Sequence, residues 1–223
     1  MEYLLNSQFK IYMPDRYGDE FSSKNSEPLK DRLKNGNWEP EEFSLLKEHV
    51  DPGDSVLELG ACIGYIGVAV NSLIKNKNNH LVIEANPDLI PVIQKNKKLN
   101  GAEFSIKNCM VGNPETMSGE FGVSDFILGS SAYSKSLKKI KVDVVSLFDF
   151  INDFNSLMVD IEGGEYALID EYIDHLHKFD KLMIEFHPFF GFNKEDLKRS
   201  VNKIKKCGFK QTARVAHVFT FKR

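Results

Sequence analysis

Five carboxylates and one imidazole fall at the ends of short apolar runs, where an α/β chain would place working groups. Glu58 closes Ser55-Val-Leu-Glu58 just before a glycine turn, Gly60-Ala-Cys-Ile-Gly64-Tyr-Ile-Gly67. Glu84 ends the next run, His80-Leu-Val-Ile-Glu84. Asp160 and Glu162 follow Ser156-Leu-Met-Val159, and Glu185 and His187 follow Lys181-Leu-Met-Ile184. Glycines let the backbone turn tightly and let a ligand lie against bare main chain. Carboxylates and a histidine beyond them suit pairing with cations, gripping hydroxyls and moving protons.

Two kinds of cofactor use a strand, a glycine turn and a helix. A dinucleotide sets its pyrophosphate on the helix N-terminus and favours G-x-G-x-x-G without an acid beside it. Here the glycines are Gly60, Gly64 and Gly67, and Glu58 precedes the first by two. That carboxylate would repel a pyrophosphate, but it suits the sulfonium and ammonium of S-adenosyl-L-methionine (SAM). An acid about 20 residues further on can take both ribose hydroxyls, a role Glu84 would fill with either cofactor. Together Glu58 and Glu84 favour SAM.

The elements that must hold these groups read as one α/β domain. The 223 residues, 42% hydrophobic and 27% charged, are ordinary for a globular chain with a substantial core. A net charge of −3 leaves no electrostatic footprint for nucleic acid or an anionic membrane. No apolar run reaches membrane-spanning length. The start, Met1-Glu-Tyr-Leu-Leu-Asn6, is too polar for a signal peptide. Cys62, Cys109 and Cys207, odd in number and widely spaced, suggest free thiols, so a cytoplasmic protein is expected.

Residues 1–37 read as an N-terminal arm or a lid, with a possible edge strand over Phe9–Met13. Residues 38–223 read as the main domain. A helix over Trp38–Val50 has Pro40 in its first turn and Phe43, Leu46 and Val50 on one face. The buried strand at 55–59 leads into a helix from Tyr65. After the strand at 80–84, Asn86 and Pro87 suit a helix start, while Pro91 implies a kink or a later start. A third strand lies at 104–106, and 113–145 reads as a hairpin-like insertion punctuated by glycines. Strands at 156–160 and 181–185 flank a helix over 166–178, and 194–206 is amphipathic with Leu197, Val201 and Ile204 inward. Strands at 209–213 and 217–221 are too close for a crossover and so pair antiparallel. The pattern is that of a doubly wound sheet.

The order Trp38-Glu-Pro-Glu41, Glu58-Leu-Gly-Ala-Cys-Ile-Gly64, Glu84-Ala-Asn-Pro87, Asp160-Ile-Glu-Gly-Gly-Glu165 and Ile184-Glu-Phe-His187 resembles the FkbM-type SAM-dependent O-methyltransferases. The likeness covers roughly residues 36 to 190, and its most telling piece is Asp-x-Glu-Gly-x-Glu. It implies a Rossmann-like class I methyltransferase fold, a seven-stranded mixed sheet whose last strand is antiparallel. It further implies methyl transfer to a hydroxyl, often of a sugar in a glycan or natural product, with S-adenosylhomocysteine as the second product. By the same likeness Glu39, Glu58, Gly60, Glu84 and Asn86 border the cofactor, and Ala61, Cys62, Gly64, Tyr65, Ala85, Cys109 and Asp160 complete the expected contacts. Cys62 stands where the family's turn usually has Asn, which alters one side-chain contact and leaves the backbone cradle.

Catalytic candidates are Asp160, Glu162, Glu185 and His187. Asp160 belongs beside the sulfonium and acceptor, or caps the Gly163-Gly164 turn. Glu162 orients a substrate hydroxyl or, with Asp160, holds a divalent cation; two acids two apart are slender evidence for metal. Glu165 suits the N-terminus of the next helix. His187 is a general base or a turn hydrogen-bonder before Pro188. Ser130, Ser131 and Tyr133 line an acceptor pocket or form a turn. His49, His80, His175, His177 and His217 read as structural or surface groups. Nucleic-acid amino-methyltransferases typically carry Asn/Asp-Pro-Pro-aromatic after the fourth strand; Asp160-Ile-Glu-Gly163 has no such aromatic. The rival to an enzyme is a non-catalytic SAM-binding or assembly module, and a dinucleotide oxidoreductase is a weaker third.

Overall fold

The computed structural model describes residues 1–18, 28–124, 130–132, 138–188 and 191–223. The chain opens with a hairpin of β1 (Glu2–Leu5) and β2 (Phe9–Tyr12). In its three-residue loop, Asn6-Ser7-Gln8, the first two residues have positive φ, the geometry that follows strand twist. Short helices α1 (Asp15–Gly18) and α2 (Leu29–Lys34) follow. Expected as an arm or lid, the described part of this segment packs into the core. Leu5, Ile11, Leu29 and Leu33 are wholly buried. Asn96 of the later helix α5 (Ile90–Leu99) accepts from Tyr12 N and donates to the carbonyls of Tyr12 and Ile63. One asparagine thus ties the hairpin edge to the glycine turn.

Helix α3 (Pro40–His49) starts on Pro40, whose missing N–H would have had no intrahelical partner. Then come β3 (Val56–Leu59), α4 (Tyr65–Leu73), β4 (His80–Glu84), α5 and β5 (Ser105–Asn108). Helix α5 begins at Ile90, not beside Pro87, so Pro91 sits harmlessly in its first turn. The Asn86 side chain caps a turn by accepting from Asp88 N instead. Residues 110–145 hold β6 (Met110–Val111), β7 (Glu120–Val123), β8 (Lys138–Lys141) and β9 (Val144–Val145); β7 and β8 pair antiparallel, and β6 and β9 parallel. Tyr133 lies outside the described residues.

The chain continues with β10 (Ser156–Val159), α6 (Glu165–Tyr172), a 3₁₀ helix at Ile173–Lys178, β11 (Lys181–Glu185), α7 (Lys194–Lys206), β12 (Lys210–Val215) and β13 (Val218–Lys222). The sheet order is β12-β13-β11-β10-β3-β4-β5. The five central and right-hand strands are parallel, while β13 runs antiparallel to both β11 and β12. All residues of β3 and β10 are buried, as expected of parallel strands covered on both faces. Strand alternation sends Val56, Val82 and Met158 into one core, with α4 and the hairpin, and Leu57, Leu59 and Val159 into the other, with α6 and α7. Among the described residues no helix is long and apolar enough to cross a membrane.

Candidate functional site

A cavity opens at the carboxyl ends of β3, β4 and β10, the place where open α/β sheets bind ligands. Its floor is the glycine turn. Gly60 has φ +87°, and a Cβ there would lie 1.6 Å from the backbone oxygen of Asp160, so no other residue fits. Gly60 N donates to Ile83 O, and Asp160 N to Leu59 O, locking three strand ends together.

Glu84 stands at the cavity edge. Its Oε2 accepts from Cys62 N at 2.9 Å and its Oε1 from Asn86 N at 2.7 Å. Burial lifts its pKa to about 7 against the pull of these backbone donors. Each carboxylate oxygen keeps a lone pair, so Glu84 can still receive ligand hydroxyls. Ala85, Leu89, Cys109, Met110, Phe121 and Leu168 add a largely apolar wall, and Glu39, Cys62, Asp160 and Glu162 an acidic one. Burial holds the Cys62 thiol protonated.

Beyond the acidic wall lies a compact charged cluster. Glu165 is wholly buried; its Oε1 accepts from the backbone N–H groups of Ile161 and Gly163, and meets His187 Nδ1 at 3.0 Å. Glu165, expected only to favour a helix terminus, therefore shapes the loop after β10 and orients the imidazole. His187 Nε2 faces Asp160 Oδ1 at 3.6 Å, Glu162 Oε2 at 3.7 Å and Glu185 Oε1 at 3.9 Å. Burial alone would lower the His187 pKa, but the bond to Glu165 and the charges of Glu162, Glu165 and Glu185 carry it up to about 9. Burial, followed by the neighbouring carboxylates, raises Asp160 and Glu42 well above the usual range and Glu39 to about 8. The Ser131 hydroxyl donates to Glu162 O, clasping the inserted segment to this loop, while Ser130 lines the cavity.

Several of the expected cofactor contacts lie away from the lining of this cavity. Glu58 does not line the cavity: strand alternation turns it under α4, against Gly67, with Oε2 3.1 Å from His80 Nε2. Its role is to satisfy a buried histidine. Tyr65 is buried, its hydroxyl bonded to Asn6 and its ring stacked on Phe43. Gly64, with φ +78°, caps α4 against Ile93, and neither Ala61 nor Asn86 lines the cavity. Gly60, Cys62, Glu84, Ala85, Cys109, Asp160 and Glu39 do line it. Glu185 and His187 belong to the cluster behind its acidic wall. Glu42 escaped notice in the sequence, although an acid in register with Leu45, Leu46 and His49 on the buried face of α3 is the signal that could have found it.

A parallel sheet with its last strand in the chain inserted antiparallel next to one edge, a glycine turn after its central strand and an acid after the next defines a Rossmann-like methyltransferase fold. The chain belongs to the FkbM methyltransferase family: the model of the Methyltransferase FkbM domain matches residues 58–210. Fibrillarin of Aeropyrum pernix, solved with natively bound SAM, is similar at 12% identity and a TM-score of 0.50, covering 80% of this chain and 72% of that one. Precorrin-6y C5,15-methyltransferase of Geobacter metallireducens is similar at 12% identity and a TM-score of 0.48, covering 95% of each chain. At 12% identity the likeness to fibrillarin is one of fold. No curated protein matches the sequence.

The protein is thus a methyltransferase, and its cofactor is SAM. The cavity fits that group: bare backbone at Gly60, hydroxyl acceptors on Glu84, an apolar wall for a purine and acids for positive charge. Bound there, SAM supplies an electrophilic methyl group and departs as S-adenosylhomocysteine.

Proposed function

We propose that this chain methylates a hydroxyl oxygen, of a sugar in a glycan or a glycosylated natural product. The observation that carries the reading is the environment of His187 Nε2, with three carboxylates, Asp160, Glu162 and Glu185, within 4 Å. Carboxylates are acceptors for hydroxyl groups, and a vicinal diol needs several of them at close range. A hydroxyl is a poor nucleophile until its proton has somewhere to go. With Nδ1 fixed on Glu165, Nε2 is the ring atom left to face Asp160, Glu162 and Glu185. Glu162 and Glu185 favour the imidazolium while their charge is uncompensated. Pairing them with other positive charge lowers its pKa toward the range in which Nε2 accepts a proton. Gly60 and the loop after β10 hold Asp160 in a fixed place at the cavity edge, and positioning of that kind contributes much of the rate of an in-line displacement.

The reading is tested by incubating the chain with methyl-labelled SAM and a panel of monosaccharides, nucleotide sugars and oligosaccharides. A methyl ether formed in step with S-adenosylhomocysteine is the expected product. Label on nitrogen or carbon of any acceptor would overturn oxygen specificity. SAM binding without turnover across the panel would favour the non-catalytic binding module.

A further inference from the structure

We propose that Glu39, Glu42, Asp160 and Glu185 bind one divalent cation of the hard, oxygen-preferring class, of the size of Mn²⁺ or Ca²⁺. One carboxylate oxygen from each of the four residues lies within 4.8 Å of all the others. Oxygens on opposite sides of a calcium ion are roughly 4.6–5.2 Å apart, twice the metal–ligand distance. The four side chains therefore surround a point that one such ion can fill without rearranging the backbone. Four carboxylates and no thiolate make a donor set for magnesium, manganese or calcium, not for zinc. His187, which also groups with Asp160 and Glu185, stands at the rim.

Proximity of acids alone would not carry this, and a second observation does. Glu42 sits on the buried face of α3 with 5% of its surface exposed. Among the described residues its carboxylate takes no hydrogen bond and no ion pair, yet it points into the cluster. The Asp160 Oδ1 atom is likewise buried without a hydrogen-bond partner, its 3.6 Å from His187 being too long for one. Buried carboxylates are normally paired or bound to metal. The four come from the start of α3, the loop after β10 and the end of β11, three segments that meet at the carboxyl edge of the sheet. The ion would lie beside the cofactor cavity, since Glu39 and Asp160 line that too. The inference concerns binding to the chain itself and does not depend on the choice of acceptor.

The test titrates the metal-stripped full chain with MnCl₂, followed by electron paramagnetic resonance and calorimetry, with and without S-adenosylhomocysteine. One Mn²⁺ per chain is expected, displaced by Ca²⁺. Affinity should be weakened roughly tenfold or more in both Glu42→Gln and Glu185→Gln. Glu48→Gln, an exposed acid on the same helix, serves as the control and should bind as the parent does. S-adenosylhomocysteine should bind alongside the ion. Absence of Mn²⁺ binding, equal binding in the Gln variants, or stoichiometric displacement of Mn²⁺ by S-adenosylhomocysteine would each overturn the proposal. The last would assign these acids to the cofactor's positive groups. Normal S-adenosylhomocysteine binding without any Mn²⁺ would end the ion site and leave the methyltransferase reading standing.

Discussion

The two ends of the central sheet both bury ionisable groups, and they do so in opposite ways. At the amino end, the Lys181 ammonium sits 2.6 Å from Asp54 and 2.5 Å from Asp51, with Lys222 4.0 Å from Asp51. His49 lies against this group and is kept neutral, its pKa lowered to about 4 by burial and then by Lys181 and Lys222. Two cations meet two anions there, and the charges close. At the carboxyl end, Glu39, Glu42, Asp160, Glu162 and Glu185 crowd around His187, and Arg32 draws the Glu39 pKa down against their repulsion. The first end pairs its buried charges one to one, and the second gathers like charges at close range, the arrangement that suits a positive ligand. Unmatched buried charge works against folding unless something bound offsets it.

The comparison breaks most severely at the amino end. Lys181→Met should destabilise the fold by about 3–5 kcal/mol, because Asp54, only 4% exposed, would be left buried without its cation. Urea unfolding measures this, and a loss below the range of a surface ion pair would remove the contrast. At the carboxyl end the corresponding neutralisation should strike function instead. Asp160→Asn should lower kcat ~10²–10³-fold, the usual effect of removing one group aimed at the reacting centre. The melting temperature should be unchanged or higher. A variant that loses activity only by unfolding would show that Asp160 is structural.

His49 probes the balanced end by pH. Its folded pKa lies below the ordinary value of 6.5, so the unfolded state takes the proton first. The stability this gives is full above pH 6.5 and is lost as the pH falls toward 4. Between about pH 7 and pH 5 the loss should be about 2 kcal/mol. The groups facing the ring are Lys181, Lys222, Asp54 and Asp51, and both ring nitrogens lack hydrogen-bond partners. His49→Phe should therefore unfold with a flatter pH dependence than the parent. Identical slopes in the two proteins would show that His49 titrates in the fold as it does in the unfolded chain.

Much of this contrast was open to sequence reading, and where it was not, the cause is geometric. The strand, glycine turn and helix at 56–73 are legible because burial on both faces leaves an apolar run bounded by glycines. Glu84 is legible for the same reason, at the end of such a run. Glu58 misleads: it shares the face of Val56, and period-two alternation turns that face toward α4 and away from the cavity. The burial of Leu29 and Leu33 in α2 was hidden among polar neighbours, since six residues are too few for helical periodicity to stand out. His187 was visible as a histidine after a strand. Its bond to Glu165 joins residues 22 apart, on different elements, and only the crossover brings them together. Glu42 meets Asp160 and Glu185 across even longer stretches of chain, so the cluster as a unit exists only in the fold.

The gentlest test is also the one that bears most directly on the comparison. Glu42→Gln keeps the shape of the side chain and removes one charge from the crowded end. If the carboxylates there are held for a bound cation, the ligand-free chain tolerates them at the expense of stability, and the variant should be about 1 kcal/mol more stable by urea unfolding. Burial and the repulsion of Glu185, Glu39 and Glu58 all act on Glu42 in the same direction, which is why neutralising it should relieve strain and not create it. The matching change at the amino end, Asp54→Asn, should have the opposite sign, because it strands Lys181. Loss of stability in both variants would mean that each end of the sheet is held together by its charges, and the reason to seek a cation at the carboxyl end would disappear.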